Sequence, residues 1–221
     1  MLEICPLNER ELLNRARKLA GLSLGELAKT YAIPFPQTLL RAKGFVGQLL
    51  ELALGASAKN QSLPDFPDLG IELKTLPIDS DGHPRESTYV CTAPTHTEVS
   101  NWQDSRVRQK LLHVLWIPIE ADPKIPLPER RIGTPLLWHL PPTLEHSLQQ
   151  DWEELVTLLR LGQEAKITAR LGTYLQIRPK AAHSRVMHER LSEDGDRIQS
   201  NPRGFYLRTL FTRIVLEKGY C

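Results

Sequence analysis

Asp65, Glu72 and Lys74, set in DFPDLGIELKT, place two carboxylates and an amine within ten positions, the last two inside an otherwise apolar run. The stretch LGIELKTLPI (69–78) alternates as a strand does, with Ile71, Leu73 and Thr75 on one face and Glu72, Lys74 and Leu76 on the other. That spacing sets Glu72 and Lys74 side by side on one face of a sheet. A charge removed from water is costly unless it is paired or binds a metal. Hard divalent cations such as Mg²⁺ take carboxylate oxygens and keep several waters. An ammonium beside such a site orients an attacking water or offsets charge that develops on a phosphate. Asp…Glu-x-Lys is thus an arrangement for metal-dependent cleavage of a phosphodiester, and equally one that a structural ion pair fills.

The elements that must hold these groups follow from periodicity and caps. NERELLNRARKLA (8–20) has the pattern of an amphipathic helix, and a second helix opens at Ser23 with Glu26 completing a capping box. FVGQLLELALGAS (45–57) is apolar nearly all round, which predicts a buried helix. After the strand at 69–78 a turn at DSDGHP (79–84) leads to STYVCTA (87–93), expected as its antiparallel hairpin partner. Residues 99–113 read as helix, 114–120 (VLWIPIE) as a short apolar strand and the proline-rich 121–135 as loop. A strong helix is expected over 147–162, ending at Gly162, then a strand over 173–180; residues 205–218 begin extended and end helical. The mixture is α/β, with a lobe break expected near 95–105 or within 121–146.

Composition narrows the classes. With 221 residues, 41% hydrophobic and 24% charged, the chain suits one generous domain or two small lobes. No apolar run is long enough for a membrane span, MLEICPLNERELL lacks a signal-peptide pattern, and Cys5, Cys91 and Cys221 make no C-x-x-C; a reducing cytoplasm is expected. The seven histidines form no H-x-x-x-H or comparable zinc spacing. Charge is uneven: residues 166–221 carry 11 Lys/Arg against 5 Asp/Glu, whereas the whole chain is only +2. A basic C-terminal quarter on an otherwise acidic chain is what a polyanion-binding surface or a solvated basic helix would give.

Several blocks together closely resemble the MutH family of bacterial mismatch repair: KGFVGQLLELALGASA (43–58), DFPDLGIELKTLPID (65–79), VLWIPIE (114–120), DWEEL (151–155), ITARLGTYLQIRPKA (167–181) and PRGFYLR (202–208). The resemblance is colinear from about residue 7 to residue 213. It implies a restriction endonuclease-like mixed sheet flanked by helices, in two lobes forming a DNA cleft. Residues 1–221 then make a single domain of this class, with the stretch from about 166 to 221 contributing the DNA-reading surface. It further implies a Mg²⁺-dependent, methylation-sensitive endonuclease that nicks the unmethylated strand of hemimethylated GATC sites. The attack is by metal-activated water, MutL is the activator, and the enzyme acts as a monomer. Two departures mark the match: Arg106 and Gln109 stand where the family carries histidines, and KNQSLP (59–64) replaces a Gly-Ser-Lys stretch.

By the same resemblance Asp65 and Glu72 are metal ligands, Glu51 a ligand or an acceptor for metal-bound water, and Lys74 the residue that orients or deprotonates the attacking water. Taken alone, Glu51 is a carboxylate within an apolar helix, which needs a cation or a thin polar stripe. Lys43, just before a helix start, suits a phosphate. Arg178 and Lys180 flank Pro179, expected to fix a turn that presents both cations; Arg reads guanine O6 and N7 bidentately. Tyr206 matches the tyrosine near the adenine whose N6-methylation the family senses, with Arg203 and Arg208 as backbone contacts and Phe205 as core. Arg108 and Lys110 match the basic cleft, and Trp102 and Trp116 are expected to pack. Two other readings stay open: a stand-alone GATC restriction endonuclease, and a non-catalytic module that binds DNA by methylation state.

Overall fold

The computed structural model describes residues 4–36, 44–58, 63–93, 101–168, 170–180, 188–191, 197–200 and 202–220. In chain order the helices are α1 (Glu9–Leu19), α2 (Leu24–Thr30), α3 (Phe45–Leu54), α4 (Arg106–Gln109), α5 (Pro142–Arg160) and α6 (Thr209–Gly219). The strands are β1 (Glu72–Ile78), β2 (Thr88–Thr92), β3 (His113–Glu120), β4 (Leu136–His139), β5 (Leu175–Pro179), β6 (His188–Leu191), β7 (Arg197–Ser200) and β8 (Arg203–Leu207). The architecture is α/β, with mixed and antiparallel sheets flanked by helices, as in restriction endonuclease-like chains. The chain forms two compact units: Met1–Arg85, His113–His139 and Arg213–Cys221 in the first, Glu86–Leu112 and Leu140–Thr212 in the second.

In the first unit the helices begin where their caps dictate. The Asn8 side chain accepts the Glu11 N–H at the start of α1, and Ser23 and Glu26 form the reciprocal capping box of α2. The sheet runs in the order β1-β3-β4. β1 lies parallel to β3, pairing Glu72 with Val114 and Lys74 with Trp116, and β4 is antiparallel to β3, pairing Leu136 with Trp116. One face, with Ile71, Leu73, Leu115 and Ile117, packs on Leu12, Leu24, Leu49, Leu50 and Leu54 of the three N-terminal helices. The opposite face carries Glu72, Lys74, Trp116 and Leu136. The C-terminal end of α6 meets it at Leu136, where a Cβ on Gly219 would collide with the Leu136 side chain.

In the second unit the sheet order is β2-β8-β5, antiparallel throughout, and β6 and β7 form a separate hairpin. Asp151 of α5 anchors this sheet. It is 7% exposed, and its two carboxylate oxygens accept the N–H groups of Thr173, Tyr174 and Leu175 at 2.8, 2.6 and 2.8 Å, which fixes the entry into β5. The ring of Trp102 meets Trp152 edge-on at 5.8 Å, and both Trp102 and Trp116 are buried, as expected of packing residues.

Four readings of the sequence need correction. The hairpin between residues 69–78 and 87–93 does not form: β1 pairs with β3 and β2 with β8, and only an isolated bridge joins Ile78 to Pro84. The burial patterns fit these pairings. β3 is buried along nearly its whole length, which suits a parallel partner, whereas β2 keeps Tyr89 and Thr92 exposed and suits an antiparallel sheet with one wet face. The strand begins at Glu72, because Pro67–Leu69 form a 3-10 turn and Gly70 takes a left-handed φ of 65°. The helix read over 99–113 is, within the described residues, only the four-residue α4. Finally, Pro179 is no turn. It is the last residue of β5, paired with Arg203, and a proline is tolerated there because β5 is an edge strand.

Candidate functional site

The turn before β1 brings the first carboxylate to the strand. Phe66 and Ile71 exchange backbone hydrogen bonds of 2.9 and 3.2 Å around Pro67–Leu69. Folded back in this way, Asp65 lies alongside β1, and its Oδ2 accepts the Leu73 N–H at 2.8 Å. Its carbonyl in turn accepts N–H groups from Ser57 and Ala58, at 3.1 and 3.4 Å, which ties the segment after α3 to the same point.

On β1 itself Glu72 and Lys74 are 6% and 8% exposed, and Lys74 Nζ donates to Glu72 Oε1 at 3.2 Å. The i, i+2 reading of the sequence therefore places these two correctly. Asp65 is hydrogen-bonded to the residue between them. Glu51 is half-buried on α3, with its carbonyl accepting the Ala56 N–H at 2.8 Å.

Two carboxylates and one ammonium, largely withdrawn from water, leave an excess of negative charge. The donor set is all oxygen, and it fits a hard divalent cation of the Mg²⁺ class. Among the described residues, two groups of three bring their ligand atoms within 4.8 Å of one another, Glu9–His113–His139 and Asp79–Asp81–His83; Glu51, Asp65 and Glu72 are not such a group. Asp65 is held on the Leu73 amide and Glu72 on the Lys74 ammonium.

The second unit gathers a different set. On β8, Phe205 and Leu207 point into the core, while Tyr206 lies half-buried on the other face, in register with Tyr89 and Gln176. The rings of Tyr89 and Tyr206 meet edge-on at 5.3 Å. Arg178 lies 5.8 Å from the centre of the Tyr206 ring and Lys180 5.3 Å from that of Tyr89, each a cation over an aromatic face. Arg178 also donates to Ser87 Oγ at 2.7 Å and Lys180 to Thr92 Oγ1 at 3.3 Å. Gly204 makes this cluster possible: a Cβ there would stand 2.8 Å from Cε2 of Tyr89 and 3.3 Å from Cε2 of Tyr206. Burial raises the pKa of the Tyr206 phenol, Tyr89 adds to the rise, and Arg178 opposes it.

The remaining described candidates have other partners. Arg108 Nε is 2.6 Å from Glu145 Oε1, which also accepts the Trp102 indole N–H at 3.3 Å. Arg208 donates to the Leu171 carbonyl at 2.7 Å, and Arg203 pairs with Glu164 at 2.8 Å. Lys110 is half-buried at the C-cap of α4, and Lys43 falls outside the described residues. Sequence reasoning missed Tyr89, Ser87 and Thr92. The alternation in STYVCTA pointed to Tyr89, but a register shift between Tyr89 and Cys91 turns Thr92 outward with it. The consecutive buried residues Val90 and Cys91 are the trace of that shift. Nothing in DWEEL signals the three backbone partners of Asp151, which come from residues more than twenty positions further on.

Comparison with known proteins places the chain. A family model described as the DNA mismatch repair enzyme MutH matches residues 54–151. The DNA mismatch repair protein MutH of Shewanella oneidensis is 52% identical over 218 residues, 98% of each chain. Those of Shewanella sp. strain ANA-3 and Shewanella baltica strain OS155 are 51% and 50% identical over the same length and share. At this identity and coverage, the chain belongs to the MutH family of DNA mismatch repair enzymes.

Proposed function

We propose that the protein is a Mg²⁺-dependent endonuclease of mismatch repair that nicks the unmethylated strand of hemimethylated GATC sites in double-stranded DNA. It acts in the cytoplasm as a monomer, with MutL as its activator. The observation that carries this reading is the buried Glu72–Lys74 pair, 3.2 Å apart, with Asp65 hydrogen-bonded to the residue between them. Pure recognition of DNA gives no reason to withdraw these charges from water.

Asp65 and Glu72 would hold the cation, with Glu51 as a further ligand or as an acceptor for its water. When bound, the ion supplies Lewis acidity at the phosphate. Lys74 orients the attacking water and offsets the charge that develops on the scissile phosphate, leaving 3′-hydroxyl and 5′-phosphate ends. Arg178 and Lys180 face the DNA from the second unit, Arg178 reading a guanine edge, and Tyr206 packs against the adenine amino group whose methylation is sensed. Lys43, Arg108, Lys110 and Arg208 contact the phosphate backbone, and Pro179, ending the edge strand, fixes the backbone between the two flanking cations. The bonds of Arg108 with Glu145 and of Arg208 with Leu171 would have to be shared with phosphate or exchanged for it.

Supercoiled plasmid carrying GATC separates the readings. A nicking enzyme converts it to open circles with Mg²⁺ and MutL and not with EDTA. A restriction enzyme gives linear product, and a binding module leaves the plasmid supercoiled. Linear or uncut product under the first condition would overturn the proposal.

A further inference from the structure

A second constellation in the first unit has a different donor chemistry. His113 opens β3 and His139 closes β4, and the antiparallel register sets them directly opposite. Their imidazoles stack with centroids 3.7 Å apart and planes 22° from parallel. Glu9, the first residue of α1, brings Oε1 to 3.8 Å from His113 Nδ1, and ligand atoms of all three residues lie within 4.8 Å of one another. The His113 side chain is 10% exposed, and its Nε2 has no hydrogen-bond partner among the described residues.

Hydrogen bonding does not account for this grouping. A nitrogen–oxygen separation of 3.8 Å is beyond hydrogen-bond reach. It is close to the roughly 3.4 Å that separates two ligand atoms on a tetrahedral zinc ion with bonds of about 2.1 Å. A buried imidazole without a hydrogen bond is costly to keep, and a cation on one ring nitrogen removes part of that cost.

We infer that Glu9, His113 and His139 form a binding site for a zinc-class divalent ion, separate from the all-oxygen set at Asp65 and Glu72. Two imidazoles and one carboxylate select Zn²⁺ over Mg²⁺, and to aim both nitrogens at one ion the two rings turn out of their stack on binding. Glu9 and His139 are exposed, so water completes the coordination from the solvent side. The ion clamps the start of α1 to the open end of the β3–β4 ladder, joining segments more than a hundred residues apart in sequence. This assignment does not rest on the endonuclease reading, and its readout is binding and stability.

The test uses the full chain stripped with EDTA, titrated calorimetrically with ZnCl₂ and melted with and without it, with MgCl₂ in parallel. The expected result is a zinc-dependent rise in melting temperature that Mg²⁺ does not reproduce. His139→Ala and Glu9→Gln, both at exposed positions, should each weaken that zinc binding at least tenfold. His83→Ala, which removes the histidine from the Asp79–Asp81–His83 group, should leave it unchanged. Absence of a zinc response in the wild-type chain, an undiminished response in both His139→Ala and Glu9→Gln, or its loss in His83→Ala would each overturn the inference.

Discussion

The Asp65 carboxylate accepts the backbone N–H of Leu73 at 2.8 Å, so the backbone of β1 itself helps to fix its position. Asp65→Asn keeps an oxygen acceptor for that bond and removes only the charge. The expected outcome is a protein that melts close to wild type yet loses Mg²⁺-dependent nicking of a GATC plasmid. Near wild-type nicking by this variant would remove Asp65 from the reaction.

The Glu72–Lys74 pair makes a sharper demand. Each side chain is 7% exposed, so removing the Lys74 ammonium enlarges the excess of buried negative charge, at a cost of about 3–5 kcal/mol. Lys74→Met should therefore lower the urea unfolding free energy by that order, and Glu72→Gln combined with Lys74→Met by less than Lys74→Met alone. Both single variants should lose nicking while keeping specific GATC binding, because neither residue reads a base. Additive unfolding losses would mean that the two charges do not compensate each other.

Asp151 predicts a local effect. Asn in its place presents an N–H₂ group to at least one of the three backbone donors at 2.6–2.8 Å. Losing one hydrogen bond to a charged group costs about 1.5–3 kcal/mol. Asp151→Asn should speed amide exchange at Thr173, Tyr174 and Leu175 well before the amides of β1 are affected. Uniform acceleration across both units would refute this anchoring role.

Methylation sensing should run through Tyr206. Fitting an extra methyl against a packed ring costs about 1–3 kcal/mol, so Tyr206→Ser should narrow the gap between unmethylated and fully methylated GATC while nicking persists. The raised phenol pKa keeps the ring neutral below its ordinary value of about 10, so the wild-type ratio should stay flat between about pH 7 and 9. Single-turnover nicking of matched oligonucleotides measures both, and an unchanged ratio in the variant moves the sensor elsewhere.

Arginine and lysine roles should separate by salt and sequence. Arg178→Ala is expected to reduce discrimination of GATC from scrambled DNA by about 1–3 kcal/mol, and Ser87→Ala, which removes its 2.7 Å acceptor, by a smaller amount. Lys110→Ala and Lys43→Ala should weaken both DNAs equally and lower the salt slope by about 0.9 for each phosphate no longer neutralised. An equal weakening on both DNAs for Arg178→Ala would place its guanidinium on a phosphate and not on a base.

What could be read without coordinates was what is local. Ser23 and Glu26 announce α2, the apolar run after Gly44 announces α3, and the two-residue spacing of Glu72 and Lys74 gives their adjacency. Strand partners are set by distant residues, and nothing within 69–93 says that β1 seeks β3 in preference to β2. The hold on Asp65 depends on a 3-10 turn that ends in a left-handed glycine, easily read as the start of the strand. The Arg108 partner, Glu145, lies 37 residues away, and Tyr89 joins Thr92 only because the ladder slips between them.

The first unit is assembled from three separate stretches of chain, and this orders events during synthesis. β1 cannot find β3 until all of Glu86–Leu112 has been translated, and the contact of Gly219 with Leu136 of β4 forms only when the stretch beyond Arg213 arrives. Pairing across such separations is slow, because the intervening loop must close first. A nascent chain therefore holds its acidic and basic groups in water, each solvated and none positioned. The chemistry is latent on the ribosome, and a cell gains the nuclease only once the last stretch of the first unit has been made.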